Sequence, residues 1–109
     1  MDRVSYATSG PGNVIVVLEG EQELYGATKL EQTFDTAFAE AASITVDLRR
    51  AEFIDSTVVG VLLDAQRRAD AHGIDYTIVV GDSTGEPVRR MLEVTGLQRI
   101  LPVVERATS

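Results

Sequence analysis

The tripeptide Asp55-Ser56-Thr57 holds the residue types best suited to chemistry in this sequence, and it stands between an apolar pair, Phe53-Ile54, and a helix-patterned segment. Aspartate is a strongly preferred helix N-cap, because its carboxylate accepts hydrogen bonds from the free N–H groups of the first turn. With Asp55 as the cap, Ser56 becomes the first helical residue, and its hydroxyl is exposed at the positive end of the helix dipole. A phosphoryl group carried there occupies a position that favours anions. Thr57 offers a second hydroxyl one residue further on. Taken alone, such a tripeptide is most often a plain helix start.

The elements on either side have to position it. Ile44 to Leu48 alternates as a strand, with Ile44, Val46 and Leu48 on one face, and a short connection leads to the tripeptide. From Ser56 to His72 a helix is predicted, with Val58, Val59, Leu62, Ala65 and Ala69 as its buried stripe and Gly73 placed to end it. Upstream, Val4 to Ala7 reads as a short edge strand and Ser9-Gly10-Pro11-Gly12-Asn13 as a turn. The continuous apolar run Val14 to Leu18 suits a strand covered on both faces. Ala27, Leu30, Phe34, Ala37, Phe38 and Ala41 share one helical stripe.

Downstream, Tyr76 to Val80 is a third long strand. Ser83-Thr84-Gly85-Glu86 has capping-box spacing ahead of a helix that buries Val88, Met91 and Leu92 and stops near Gly96. Ile100 to Val104 reads as a last edge strand interrupted by Pro102. Strands and helices alternating in this way predict a single α/β domain over residues 1–109. It has a mainly parallel sheet of four to five strands and about three main helices.

Composition excludes several classes of function. Ten basic against seventeen acidic residues leave a net charge of −7, which disfavours direct binding to nucleic acid or anionic lipid. The absence of cysteine removes disulfides and thiolate metal sites, in keeping with a reducing cytoplasm. No run of eighteen apolar residues suggests a membrane span, and Met1-Asp2-Arg3-Val4-Ser5 lacks the apolar core of a secretory signal. His72, the single histidine, falls at an expected helix C-terminus, where a dipole role outweighs catalysis. A catalytic triad could draw only on His72, and no Gly-x-x-x-x-Gly-Lys loop occurs, so no enzyme activity and no cofactor is expected. Asp82-Ser83-Thr84 repeats the motif, but its capping-box setting marks it as structural. Arg67-Arg68 and Arg89-Arg90 read as solvated helix faces. Lys29, the only lysine, lies within a helical pattern and argues against a response-regulator receiver.

The ordered set Val46-Asp47-Leu48, Phe53-Ile54-Asp55-Ser56-Thr57 and Val61-Leu62-Leu63 resembles the STAS family, best known for bacterial anti-sigma factor antagonists. Leu18-Glu19-Gly20-Glu21 and Val88-Arg89-Arg90-Met91-Leu92, leading to Thr95-Gly96-Leu97, extend the similarity over residues 13–104. Two departures stand out. Val58 replaces the family's usual glycine, and Glu23 stands where many relatives carry aspartate.

The resemblance implies a cytoplasmic, non-enzymatic phosphoprotein that works in transcription regulation by partner switching, for example in a stress response. An anti-sigma factor serine kinase would bind the unmodified form and phosphorylate Ser56, with Thr57 as the secondary candidate. A serine/threonine phosphatase would reverse the modification. The implied partner surface comprises Glu21, Glu23, Asp55, Ser56, Thr57 and Val58. At Val58 a β-branched side chain is expected to cover backbone that glycine would leave open. Other readings are a STAS subunit of a signalling scaffold, a STAS partner of a lipid-transport ATPase, or a small-molecule sensor with a crevice at Asp47, Asp55 and Ser56.

Overall fold

The computed structural model describes residues 3–22, 24–94, 96, 99 and 103–106, with the backbone alone at 3, 21, 22 and 24–26. The order of elements is β1 (Arg3–Thr8), β2 (Asn13–Gln22), α1 (Leu24–Phe38), β3 (Ser43–Ile54), α2 (Ser56–His72), β4 (Asp75–Val80), α3 (Glu86–Val94) and β5 (Val103–Glu105). The five strands lie side by side in sequence order. β1 is antiparallel to β2, while β2 through β5 run parallel. Gly10 and Gly12, at φ 81° and 73°, supply the left-handed residues that let the chain reverse between β1 and β2. The parallel pairs need crossovers instead, and each crossover carries one helix.

All three helices contribute to one apolar cluster on one face of the sheet. Leu30 and Phe34 of α1, Val58 and Leu62 of α2, and Val88 and Leu92 of α3 pack with Val16, Val46 and Ile78. The residues between them, Ile15, Val17, Thr45 and Thr77, point to the other face and remain partly exposed. The expectation that β2 is covered on both faces is therefore corrected. A continuous apolar run does not reveal how many layers cover it, and here there is one. Met91, expected in the core, is half-buried against it, and α1 ends at Phe38, so Ala41 packs from the turn that follows.

β3 is longer than its alternating segment suggested. Its register with β2 shifts twice, between Val17 and Glu19 and between Gly20 and Glu21, each time leaving one extra residue on β3. Bulges of this kind break the two-residue rhythm. The buried positions accordingly pass from Ile44, Val46 and Leu48 to Leu48, Ala51 and Ile54, a spacing of three. The expected short connection before Asp55 is thus bulged strand. The last strand is described at Val103–Glu105, one residue past its expected end; Ile100 to Pro102 lie outside the described residues.

On the open face, Arg49 donates from its amide and from Nε to Asp47 Oδ1, at 2.9 and 3.0 Å, and from Nη2 to Oδ2 at 2.9 Å. Burial pushes the Asp47 carboxyl up, but the Arg49 hydrogen bonds, with the charges of Arg49 and Arg50, outweigh it and hold it below its ordinary value. A depressed carboxylate contributes stability that is complete above its unfolded-state value and is lost as pH falls through its folded-state value. Asp47→Asn is expected to cost about 1 kcal/mol near neutral pH, with the gap to wild type closing below about pH 4. Urea unfolding of both proteins at pH 7 and pH 3 measures this; a constant gap would remove Asp47 from the acid response.

Candidate functional site

The bulged second half of β3 delivers Asp55 to the carboxyl end of the parallel sheet, the usual location of binding sites in open α/β folds. Asp55 is extended, at φ −101° and ψ 178°, and its Oδ1 accepts a hydrogen bond from the Val58 amide at 3.0 Å. The predicted cap is therefore formed, and α2 begins at Ser56 as expected. Gly73, at φ 66°, closes the helix where expected, with its amide directed at Ala69 and Asp70 carbonyls, and His72 is exposed in the last turn.

Ser56 and Thr57 are exposed, Asp55 is half-buried, and no hydrogen bond ties either hydroxyl to another described residue. At 100° per residue, Ser56 shares a flank of α2 with Leu63 and Arg67, whereas Thr57 is in line with Val61, Asp64 and Arg68. Register brings Glu21 of β2 beside Phe53 and Gln22 beside Ile54, so the β2 end sits next to the approach to Ser56. The Glu21 side chain and all of Glu23 lie outside what is described.

Two sequence expectations are corrected here. Val58 has no exposed surface and packs in the core, so its side chain offers nothing to a partner. Its place in the buried stripe of α2 settles this: a valine there fills the core. The crevice proposed around Asp47, Asp55 and Ser56 is not formed either. Asp47 faces the open side of the sheet in its pair with Arg49, eight strand residues and roughly 26 Å of extended chain before Asp55.

The loop before α3 also differs from expectation. α3 begins at Glu86, and its first amide bonds, from Val88 and Arg89, go to the Gly85 carbonyl, so Gly85 holds the cap position. Thr84 is buried; its hydroxyl donates to Leu48 O at 3.0 Å and accepts from the Gly81 amide at 2.9 Å. The Gly85 amide donates to Ala51 O at 2.8 Å. These bonds fasten the start of α3 to β3 just ahead of Asp55. Asp82-Ser83-Thr84 remains structural, through a latch across the sheet.

The helix that follows the latch carries a feature absent from the sequence reading. Pro87, Met91 and Val94, spaced i, i+4 and i+7, form an apolar outer face on α3, bordered by Glu86 and Arg90, around a cleft of about 370 Å³. Val94 is 78% exposed, far more than burial of the α3 inner face requires. The signal was present as a second apolar stripe on a nine-residue helix whose inner stripe is Val88 and Leu92.

Removing the cap is expected to destabilise the protein by about 1 kcal/mol in Asp55→Ala, because an amide of the first turn loses its acceptor. Ser56→Ala is expected to stay within about 0.5 kcal/mol of wild type, since the hydroxyl faces water. Equal losses in urea unfolding would contradict the cap geometry.

The family model described as "Mlab, STAS domain" matches residues 7–104. No curated protein matches the chain. Among solved structures, an anti-sigma factor antagonist from Mycobacterium paratuberculosis is similar, with a TM-score of 0.78 at 21% identity, covering 94% of this chain and 85% of the other. The anti-sigma factor antagonist SpoIIAA in its unphosphorylated form gives 0.81 at 20% identity, covering 95% and 88%. The phosphorylated form of the Bacillus cell fate determinant SpoIIAA gives 0.75 at 18% identity, covering 95% and 91%.

Proposed function

The chain belongs to the STAS domain family, and on that premise we propose that it is an anti-sigma factor antagonist switched by phosphorylation of Ser56. The observation that carries this reading is the exposed Ser56 hydroxyl directly after the Asp55 cap, at the carboxyl end of the parallel sheet. A kinase needs a hydroxyl it can reach. A partner needs apolar surface to bury, and Met91 and Val94 of α3 offer some. That a similar fold is known in both an unphosphorylated and a phosphorylated form supports the same reading.

In this scheme the chain is substrate and ligand, without catalysis of its own. The unmodified form binds a serine kinase that acts as an anti-sigma factor, and so frees a sigma factor. That kinase uses its own ATP to phosphorylate Ser56, and a serine/threonine phosphatase restores the hydroxyl. Asp55 caps the helix and orients the residue that follows it. Glu21, Glu23 and Thr57 border the contact, while Val58 supports it from within the core. The whole exchange takes place in the cytoplasm.

The test is incubation with a cognate serine-kinase anti-sigma factor and ATP, read by intact mass and peptide mapping. One phosphate on Ser56, absent from Ser56→Ala, is the expected result. Label on Ser83 or Thr84 would reverse the assignment of switch and latch. No phosphate and no binding would favour an assembly subunit, of a signalling scaffold or a lipid-transport ATPase, that uses the α3 face alone.

A further inference from the structure

The flank of α2 away from Ser56 holds a different feature. α1 and α2 lie side by side and leave a cleft of about 100 Å³ between them. Phe34, Phe38, Val61 and Ala65 form its apolar wall, and Glu31, Asp35, Asp64 and Arg68 its charged rim. Sites for drug-sized molecules run to ~300–1,000 Å³, so this cleft has room for a single side chain.

Its chemistry is one-sided, with three carboxylates against one guanidinium. That guanidinium shows what the cleft prefers. Arg68 Nη1 donates to Asp35 Oδ1 at 2.7 Å, and its Cζ stands 4.4 Å from the centre of the Phe38 ring. A carboxylate and an aromatic face thus hold one planar cation together, the arrangement in which arginine outperforms lysine. The remaining acids are not satisfied in the same way. Asp64 meets Arg67 at 3.3 Å, with both side chains more than 70% exposed, a pair of little worth. Glu31 has no ion pair with any described residue.

We infer that the α1–α2 cleft docks an arginine side chain of a basic protein partner, which lies against the Phe34–Phe38 wall between Glu31 and Asp64 and competes with Arg68 for Asp35 and the ring. The −7 charge of the chain draws such a partner towards it. The cleft is in line with Thr57, Val61 and Asp64, about 100° around α2 from Ser56, so occupation of the cleft leaves the Ser56 flank open.

An NMR titration of the full ¹⁵N-labelled chain with acetyl-Gly-Arg-Gly-amide tests this, set against the same peptide carrying neutral citrulline. Saturable shifts are expected at Glu31, Asp35, Phe38, Asp64 and Arg68 with the arginine peptide alone. Glu31→Gln, an exposed change that breaks no contact, should weaken binding about threefold. Arg68→Ala, which vacates the ring, should tighten it about threefold. Ser56→Ala should bind as wild type does. The inference is overturned if no saturable shifts occur, if citrulline matches arginine, if shifts spread over the acidic surface at large, or if Glu31→Gln binds as tightly as wild type. It is overturned equally if Arg68→Ala, with a native spectrum, weakens binding.

Discussion

Gly85→Ala is expected to lose about 3 kcal/mol of stability, the upper end of what one added carbon costs in a packed site. A Cβ built on Gly85 would stand 2.8 Å from both the carbonyl carbon and the Cα of Glu52, and closer still to the Glu52 carbonyl oxygen. These are backbone atoms of β3, held by the strand, and no rotamer change can move them. Relief requires α3 to back away, which stretches the Gly85–Ala51 hydrogen bond and disturbs the Thr84 latch. Gly60 is the matched control. It lies within α2, and a Cβ there meets nothing within 4 Å. Gly60→Ala is therefore expected to stabilise by about 0.5–1 kcal/mol, through helix propensity and a less free unfolded chain. Urea unfolding of the two variants gives opposite signs if the contact is real. A Gly85→Ala variant as stable as wild type would mean that α3 does not close on β3.

The parts legible in the sequence were those decided within one or two turns of chain. Asp55 as cap, Ser56 as first helical residue and Gly73 as terminator depend on local backbone needs, which residue type reveals directly. The order of strands and helices follows from apolar periodicity and crossover geometry. What escaped was decided across the sheet. Thr84 belongs to a capping-box pattern by spacing, yet its hydroxyl goes to Leu48 O, thirty-six residues away in sequence. The bulges of β3 arise from its pairing with β2, and Arg50 and Glu52, charged at the two positions that continued alternation would bury, hinted at the change of rhythm. Ile15 and Val17 are as apolar as their buried neighbours, so the number of layers over β2 was not encoded in that run. The site itself was half legible. Its hydroxyls were, and so was Val58 in the buried stripe of α2, whereas the apolar α3 face needed the packing.

Phosphorylation of Ser56 is expected to weaken partner binding by thirtyfold or more, about 2 kcal/mol, and to leave the stability of the chain within about 1 kcal/mol of its unmodified value. The added group carries about −1.5 to −2 charges. At the start of α2 the dipole returns roughly 0.3–1 kcal/mol. Repulsion from the Asp55 carboxylate, at about 5 Å from an exposed residue and with a water-like dielectric near 80, is on the order of 0.8 kcal/mol per unit charge, about 1.2–1.7 kcal/mol for the phosphate. These opposing amounts are small, so they supply no force for refolding, and the switch must act at the contact. There the same charge, on an exposed residue, would have to lose its water against a partner. Desolvating an unpaired charge costs several kcal/mol, far more than the dipole returns. Ser56→Glu reproduces the position with one charge and is expected to weaken binding less than phosphate does, while Ser56→Ala binds as wild type. Calorimetric binding and urea unfolding on the same three proteins separate the two effects. A loss of stability that tracked the loss of affinity would mean that the modification acts by unfolding the start of α2, because a charge confined to the contact surface changes affinity alone.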